Sequence, residues 1–499
     1  MQSLKLSEQI LSQLADSHSP NSVTVPTYDR AALSAGIIHI GVGNFHRAHQ
    51  AYYLDRLFEQ GDGLDWAIIG AGIKSYDEKM RSRLAQQDWL TTLVELDPDQ
   101  LSAQVIGSMI DYLPIDSGEL ITVLADPKIR IVSMTVTEGG YFVDAKTNGF
   151  DHLHPDIQAD INNPDNPQTV FGLLLAALAA RRAASVAPFT IMSCDNLPEN
   201  GHVARQVVLG LARLIDPELS VWVAENVAFP NGMVDCIVPA TTEREIKLVE
   251  DEFGISDQAP VTCEPFHQWV LEDHFPAGRP ALEKVGVQFV DDVRPYELMK
   301  LRILNGGHAI IAYAAGLLDI TYAHEAMQHP LISAFMEKIE REEIIPIVPP
   351  VPDTSLEGYL ELIQTRFANP RMGDQIERLC FDGFNRQPKF IIPSIIDNLA
   401  QSKLPTGLML ESALWCRYCQ GITESGQTIG PNDPNWDRLH ACAIQAKETP
   451  AVWLDMTDIY GDLGQNVALQ TQFATLLKHL DDHGVVATLQ AYLNQQLTA

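Results

Sequence analysis

The stretch Gly36-Ile37-Ile38-His39-Ile40-Gly41-Val42-Gly43-Asn44-Phe45-His46-Arg47-Ala48-His49 decides the fold. An apolar run ends in two glycines one residue apart, and a helical pattern, His49–Glu59, follows at once. This reads as a strand, a tight turn and a helix. Gly41 and Gly43 let the main chain approach a pyrophosphate at a helix N-terminus, where free N–H groups and the dipole favour an anion. The third glycine of the GxGxxG pattern is missing, with His46 in its place. A tight strand-to-helix turn with no ligand is the alternative. Asn44 and Phe45 lie in the same turn and are candidate cofactor contacts with it.

Working outward, strand-like runs at Gly36–Gly41, Trp66–Gly70, Thr91–Leu96, Ile129–Val136 and Phe189–Ser193 alternate with helical segments, notably His49–Glu59 and Thr169–Ala184. Such alternation predicts an α/β fold with a Rossmann-type doubly wound parallel sheet. Past Trp66–Gly70 comes Asp77, an acid placed to accept hydrogen bonds from adenosine ribose hydroxyls and to repel a 2′-phosphate, which points to NAD over NADP. Lys74 nearby blunts that preference, and Asp77 read only as a helix N-terminal acid is the alternative. After Asp291 the character changes. Tyr296–Ala315, His329–Glu343, Leu356–Phe367, Gln375–Cys380, Ile391–Gln401, Leu408–Tyr418 and Pro434–Lys447 all carry helical spacing. The expectation is an NAD-binding domain over 1–290 and a mainly α-helical substrate and catalytic domain over 291–499. Ile345–Asp353, rich in proline, reads as an extended connector, because proline lacks the N–H and clashes with the preceding turn.

With 499 residues and 46% hydrophobic content, the chain has apolar material for two cores. Lys plus Arg number 34 against 65 Asp plus Glu, a formal charge of -31. That balance repels phosphate backbones and anionic membrane surfaces, so no nucleic acid or membrane partner is expected. The N-terminal segment lacks a basic stretch followed by an apolar run, and no apolar run approaches the ~18 residues of a membrane span. A soluble cytoplasmic protein is expected. Seven scattered cysteines fit a reducing compartment better than a disulfide framework. The CxxC pair Cys416 and Cys419 has no second pair or HxxH nearby, and reads as two ordinary thiols rather than a zinc site. No metal is expected.

Chemistry is suggested by Lys300-Leu-Arg-Ile-Leu-Asn305-Gly-Gly-His308. On an α-helix Lys300, Asn305 and His308 fall within a sector of about 140°. Carbinol oxidation needs a base for the hydroxyl proton and donors for the developing alkoxide. A desolvated amine serves as the first and uncharged amides as the second. A solvated helix face is the competing reading, against which Gly306 and Gly307 argue, being costly in a helix unless something must come close to the backbone. Ser193–Gly201 (SCDNLPENG) follows a strand end, where α/β enzymes collect their sites. Asn196 is the second candidate donor there, and an Asx-type turn in which Asn196 and Asn200 bond their own backbone is the alternative.

These residues resemble the polyol-specific long-chain dehydrogenases and reductases over nearly the whole chain: Gly41–Tyr53, Thr137–Phe142 (TEGGYF), Ser193–Gly201, Phe229–Asp235 (FPNGMVD), Cys263–Asp273 and Lys300–His308. The resemblance implies a Rossmann-type domain, a helical domain, an active site between them and no metal. It makes Lys300 the general base and acid, Asn196 and Asn305 an oxyanion-stabilising pair, and His308 a residue that binds and orients substrate. Asp235 would contact substrate hydroxyls, Glu297 would pass the proton to water, and Glu138 in TEGGYF joins the cofactor contacts. Two positions depart from the family's usual wording, with Cys236 for arginine after Asp235 and Arg386 for a basic residue often written as lysine. Arg378 and Arg386 would line the substrate site, and two guanidiniums favour a carboxylate by bidentate pairing. The implied reaction is NAD-dependent oxidation of D-mannitol to D-fructose and its reverse, by a monomer acting on a small polyol or ketose. Fructuronate reduction and a non-catalytic NAD-binding protein are the alternatives.

Overall fold

The computed structural model describes residues 3–15, 22–144, 147 and 149–497, without the side chains of Ser22 and Glu138. The chain divides into two compact units, Met1–Arg294 and Pro295–Ala499.

In the first unit five parallel strands form the central sheet: β1 (Ala35–Ile40), β2 (Ala67–Ala71), β3 (Met109–Tyr112), β4 (Ile131–Met134) and β5 (Thr190–Ser193), in the order β3-β2-β1-β4-β5. The order reverses at β1, which places the strand's exit at the crevice where such sheets take ligands. Successive residues of β1 face opposite ways, as strand geometry requires. Ile37 joins one apolar cluster with Leu54, Ile68 and Trp269, while Ile38 and Ile40 join another with Val132, Phe171 and Ile191. Both faces of the sheet are therefore covered, as expected of a parallel sheet.

Thr91–Leu96 is a strand as expected, but outside this sheet. It pairs antiparallel with Leu101–Ile106 in a second, four-stranded sheet completed by Val261–Cys263 and Ser22–Thr24. The fifth parallel strand is Met109–Tyr112, whose four residues carry too short an apolar run to register as a period. A third sheet joins Gly232–Asp235, Gln268–Glu272 and Gln288–Val290.

The second unit is helical, and Leu356–Phe367 spans the residues that its periodicity marks. Tyr296–Ala315 is instead three segments, an α-helix (Arg294–Met299), a π-helical stretch (Lys300–Asn305) and an α-helix (Gly306–Leu317). A second π-helical stretch, Glu340–Ile344, follows the helix Pro330–Ile339. The supposed extended connector begins with a single 3-10 turn, Ile345–Ile347, in which Pro346 is tolerated because the first turn asks for no N–H there. Helix Gly383–Phe390 carries Pro388 within it, and Val467–Leu493 is two helices meeting at Gly484, whose φ is +80°. Among the described residues no helix is long and apolar enough to cross a membrane.

Candidate active site

At the end of β1, Gly41 has φ +94°, and a Cβ there would lie 2.1 Å from the Thr135 carbonyl oxygen. Backbone and packing both exclude any larger residue. Gly43 is different. Its φ is −93°, and the nearest atom to an added Cβ is the Gly41 carbonyl oxygen at 3.9 Å. The protein's own packing does not ask for glycine at this position, so the space is what a close ligand would use. This fits a dinucleotide pyrophosphate.

The predicted helix His49–Glu59 is two helices, Asn44–Ala48 and Gln50–Glu59, broken at His49. His46, at the missing third glycine, is buried and stacks on His39 with centroids 3.5 Å and planes 11° apart. Burial lowers the pKa of both rings, that of His39 to about 3, so the pair packs uncharged between helix and strand. Asn44 Nδ2 donates to the Pro239 carbonyl (3.0 Å) and Thr241 Oγ1 (2.9 Å), and its Oδ1 accepts from Arg47 Nη2 (2.8 Å). A cofactor contact at Asn44 is thus left to the main chain. Phe45, half-buried, stacks on His49 at 4.8 Å.

Asp77 opens the helix Asp77–Ala85, six residues past the end of β2. Its Oδ2 accepts from the Ile73 and Lys74 N–H groups, 2.9 Å each, bracing the loop that leaves the strand. Oδ2 thus serves the turn at the start of this helix. Glu138 lies in the single turn Glu138–Tyr141, and its side chain is outside the described residues.

At the end of β5 the sequence placed its weight on Asn196, and the structure adds Asp195. Asp195 accepts from the Val136 and Thr137 N–H groups, 2.9 Å each, and from Tyr141 Oη at 2.8 Å, tying the TEGGYF segment to β5. Asn200 does not close an Asx turn on its own backbone but ties this segment to the strand Gly232–Asp235, donating to the Asp195 (3.1 Å) and Gly232 (2.8 Å) carbonyls and accepting from Gly232 N (3.0 Å). Asn196 itself is exposed beside this knot. Asp235 is buried at the end of the strand Gly232–Asp235, in register with Gln268.

In the helical unit Glu297, Lys300, Asn305 and His308 are all buried. The π-helical stretch corrects the angular estimate. An i→i+5 ladder turns less per residue than an α-helix, so Asn305 comes round toward the face of Lys300 instead of standing about 140° away. Such insertions are frequent at functional sites. Gly307 takes a different explanation, whereas at Gly306 the nearest atom to an added Cβ is Ile344 Cδ1 at 3.7 Å. A Cβ on Gly307 would meet Met336 Cε at 2.9 Å, Glu340 Oε1 at 3.3 Å and Phe367 Cε2 at 3.4 Å, so a neighbouring helix makes the close approach.

His308 lies flat on Phe367, centroids 3.9 Å apart, with Nε2 3.7 Å from Asp374 Oδ2. Burial, reinforced by the charges of Arg378, Arg386 and Arg366, holds it far below the usual imidazole range. Asp374 receives a two-point contact from Arg378, Nε to Oδ1 at 2.8 Å and Nη2 to Oδ2 at 2.7 Å. Arg386 Nη1 donates to the Leu379 carbonyl at 2.7 Å. Arg378 is thus paired with a carboxylate of its own. Asp374 escaped notice, although an acid four residues before an arginine is a legible helical ion-pair spacing.

Two family models match, the mannitol dehydrogenase Rossmann domain over residues 35–284 and the mannitol dehydrogenase C-terminal domain over residues 292–481. A mannitol 2-dehydrogenase of Cereibacter sphaeroides is 60% identical over 95% of this chain and 99% of its own. One from Phaeosphaeria nodorum is 42% identical over 98% of this chain and 86% of its own. Among solved structures, the Pseudomonas fluorescens mannitol 2-dehydrogenase in ternary complex with NAD and D-mannitol aligns with TM-score 0.87 and 43% identity, covering 99% and 100% of the two chains. A D-sorbitol dehydrogenase in substrate-free form aligns with TM-score 0.89 and 34% identity, covering 97% and 100%.

Proposed function

The chain belongs to the mannitol dehydrogenase family, and from that premise we propose that it interconverts D-mannitol and D-fructose with NAD, using Lys300 as general base and acid. It is an NAD-dependent polyol dehydrogenase. The observation that carries the finer reading is the π-helical stretch that buries Lys300 and Asn305 on converging faces of one helix.

NAD fits the open space at Gly43, the left-handed turn at Gly41, the main chain of Asn44 and Phe45, and Asp77 Oδ1 at the ribose, with Glu138 a further contact. When bound it supplies the acceptor and donor for the transferred hydride. Lys300 takes the carbinol proton during oxidation and returns it during reduction, and Glu297, one helical turn earlier, relays it to water. Asn305 and Asn196 donate to the oxygen on which negative charge builds, adding no charge of their own. His308, held neutral, orients the polyol, and Asp235 accepts from its hydroxyls.

The charges of Arg378 and Arg386 act on His308. Because Asp374 already neutralises Arg378, an uncharged sugar suits the site better than a uronate. The reaction is proposed to need no metal, so activity survives EDTA. The deciding experiment measures reduction of D-fructose beside D-fructuronate with NADH and with NADPH. Fructose with NADH is expected to turn over fastest. A preference for fructuronate overturns the substrate, and a preference for NADPH overturns the role of Asp77.

A further inference from the structure

Strand Gly232–Asp235 runs on into Cys236, and strand Val261–Cys263 ends on a second thiol. One residue beyond each, Ile237 N donates to Glu264 Oε1 (2.6 Å) and Glu264 N donates to the Ile237 carbonyl (3.1 Å). This clasp holds the two cysteines side by side. His267 follows four residues after Cys263, its ring flat on Tyr52 with centroids 4.4 Å and planes 16° apart. Cys263 Sγ and His267 Nε2 are 3.8 Å apart, and one ligand atom from each of the three residues lies within 4.8 Å of the other two. Among the described residues no other three His, Cys, Asp or Glu side chains gather so closely.

A tetrahedral zinc ion, with bonds near 2.3 Å to sulfur and 2.0–2.1 Å to nitrogen, holds neighbouring sulfur and nitrogen ligands about 3.6 Å apart. The spacing between Cys263 and His267 is already close to that edge, so binding asks for side-chain rotation and little more. We propose that Cys236, Cys263 and His267 bind one zinc-class cation, with the fourth position open to water. Two thiolates and an imidazole select zinc or copper(I) over magnesium or calcium.

The exchange balances simply: the ion displaces two S–H protons, which leave to solvent, and gains two metal–sulfur bonds and one metal–nitrogen bond. His267 Nε2 now lies 3.1 Å from the Ala48 carbonyl oxygen. Turning its lone pair to the ion moves the N–H to Nδ1 and takes that donor from Ala48. Because binding releases protons, affinity rises with pH. Occupancy reaches the proposed chemistry from two sides, because Cys236 follows Asp235 directly and Ala48 closes the helix that starts at Asn44. Resting on the proposed function, the bound ion is therefore an inhibitor of polyol oxidation.

Cobalt(II) titration of the full chain, kept reduced with a phosphine, tests the site. One equivalent is expected to give a thiolate-to-metal charge-transfer band in the near ultraviolet and ligand-field bands in the visible, displaced by zinc. Cys263→Ser and His267→Gln should each weaken binding by more than roughly 100-fold, since outer-shell partners alone are worth 10- to 100-fold. Cys416→Ser, in the helical unit, should leave the bands unchanged. No charge-transfer band, or a band that survives both variants in chains of unchanged near-ultraviolet circular dichroism, overturns the site. Zinc should slow mannitol-dependent NAD reduction by the wild type and not by Cys263→Ser, and equal inhibition of both overturns the inhibitory role. A chain without mannitol activity would refute the proposed function while the cobalt spectrum still decides the site.

Discussion

At Gly41–Gly43 the sheet unit presents main chain, and the polar side chains around it face one another: Asn44 holds Pro239 and Thr241, Arg47 holds Ala259, and Asp77 holds its own loop. At Lys300–His308 the helical unit presents side chains, all from one helix whose ladder widens where the lysine stands. The first arrangement is marked by a missing Cβ, the second by polar side chains in the phase that a π-helical stretch imposes on them. Adding a methyl should therefore be costly at one end, and removing a side chain at the other.

The sharpest break in that contrast is Lys300→Ala. It should lower kcat for mannitol by about 10²- to 10⁴-fold, the usual worth of a positioned acid–base group, with NADH affinity retained in a fluorescence titration. Unchanged turnover would remove the lysine from the chemistry. Next come the two glycines, taken as a pair. Gly43→Ala should weaken NADH about 10- to 100-fold, as expected for lost main-chain hydrogen bonds of about 1–3 kcal/mol, with little change in Tm. Gly41→Ala should instead lower Tm, since left-handed strain of about 1–3 kcal/mol adds to the clash with the Thr135 carbonyl. If both variants lose only stability, the open space at Gly43 is not a ligand's.

A smaller effect is expected from Asp374→Asn, which releases Arg378. The kcat/KM ratio of fructuronate to fructose should rise about tenfold, the worth of one charge-assisted hydrogen bond. A constant ratio would detach Arg378 from substrate choice.

Smallest are opposite pH responses in the two units. His39 has a folded pKa of about 3, below its usual 6.5, so its contribution is present above pH 6.5 and is lost as pH falls toward 3. Glu411 in the helical unit is raised by burial from 4.5 to about 8, so its contribution is present below pH 4.5 and is lost as pH rises through 8. Urea midpoints across pH 4–9 should show His39→Gln flattening the acid limb and Glu411→Gln the alkaline limb. Each effect is bounded by about 1.4 kcal/mol per pH unit. Matching slopes in wild type and variants would show that burial alone does not set these responses.

Local pattern carried much of this architecture. The strand–glycine–helix run at Gly36–His49, the apolar alternation up to Phe189–Ser193 and the helical spacing after Asp291 are properties of neighbouring residues, so they were visible without a structure. The closeness of Lys300, Asn305 and His308 along the chain was visible too, whereas the phase that brings Asn305 toward the face of Lys300 comes from the π-helical stretch.

Tertiary structure alone decided the rest, for one physical reason: these features depend on atoms far apart in the chain. Thr91–Leu96 reads as a strand from its own residues, but which sheet it joins depended on Leu101–Ile106 and Val261–Cys263. Gly307 reflects Met336, Glu340 and Phe367, and His46 replaces a glycine because His39 receives its ring. Asp374 pairs with Arg378 four residues away, but its approach to His308, 66 residues away in sequence, is set by the packing. In the Cys236, Cys263 and His267 cluster the last two are four residues apart, and the pairing of Ile237 with Glu264 brings the distant Cys236 to them.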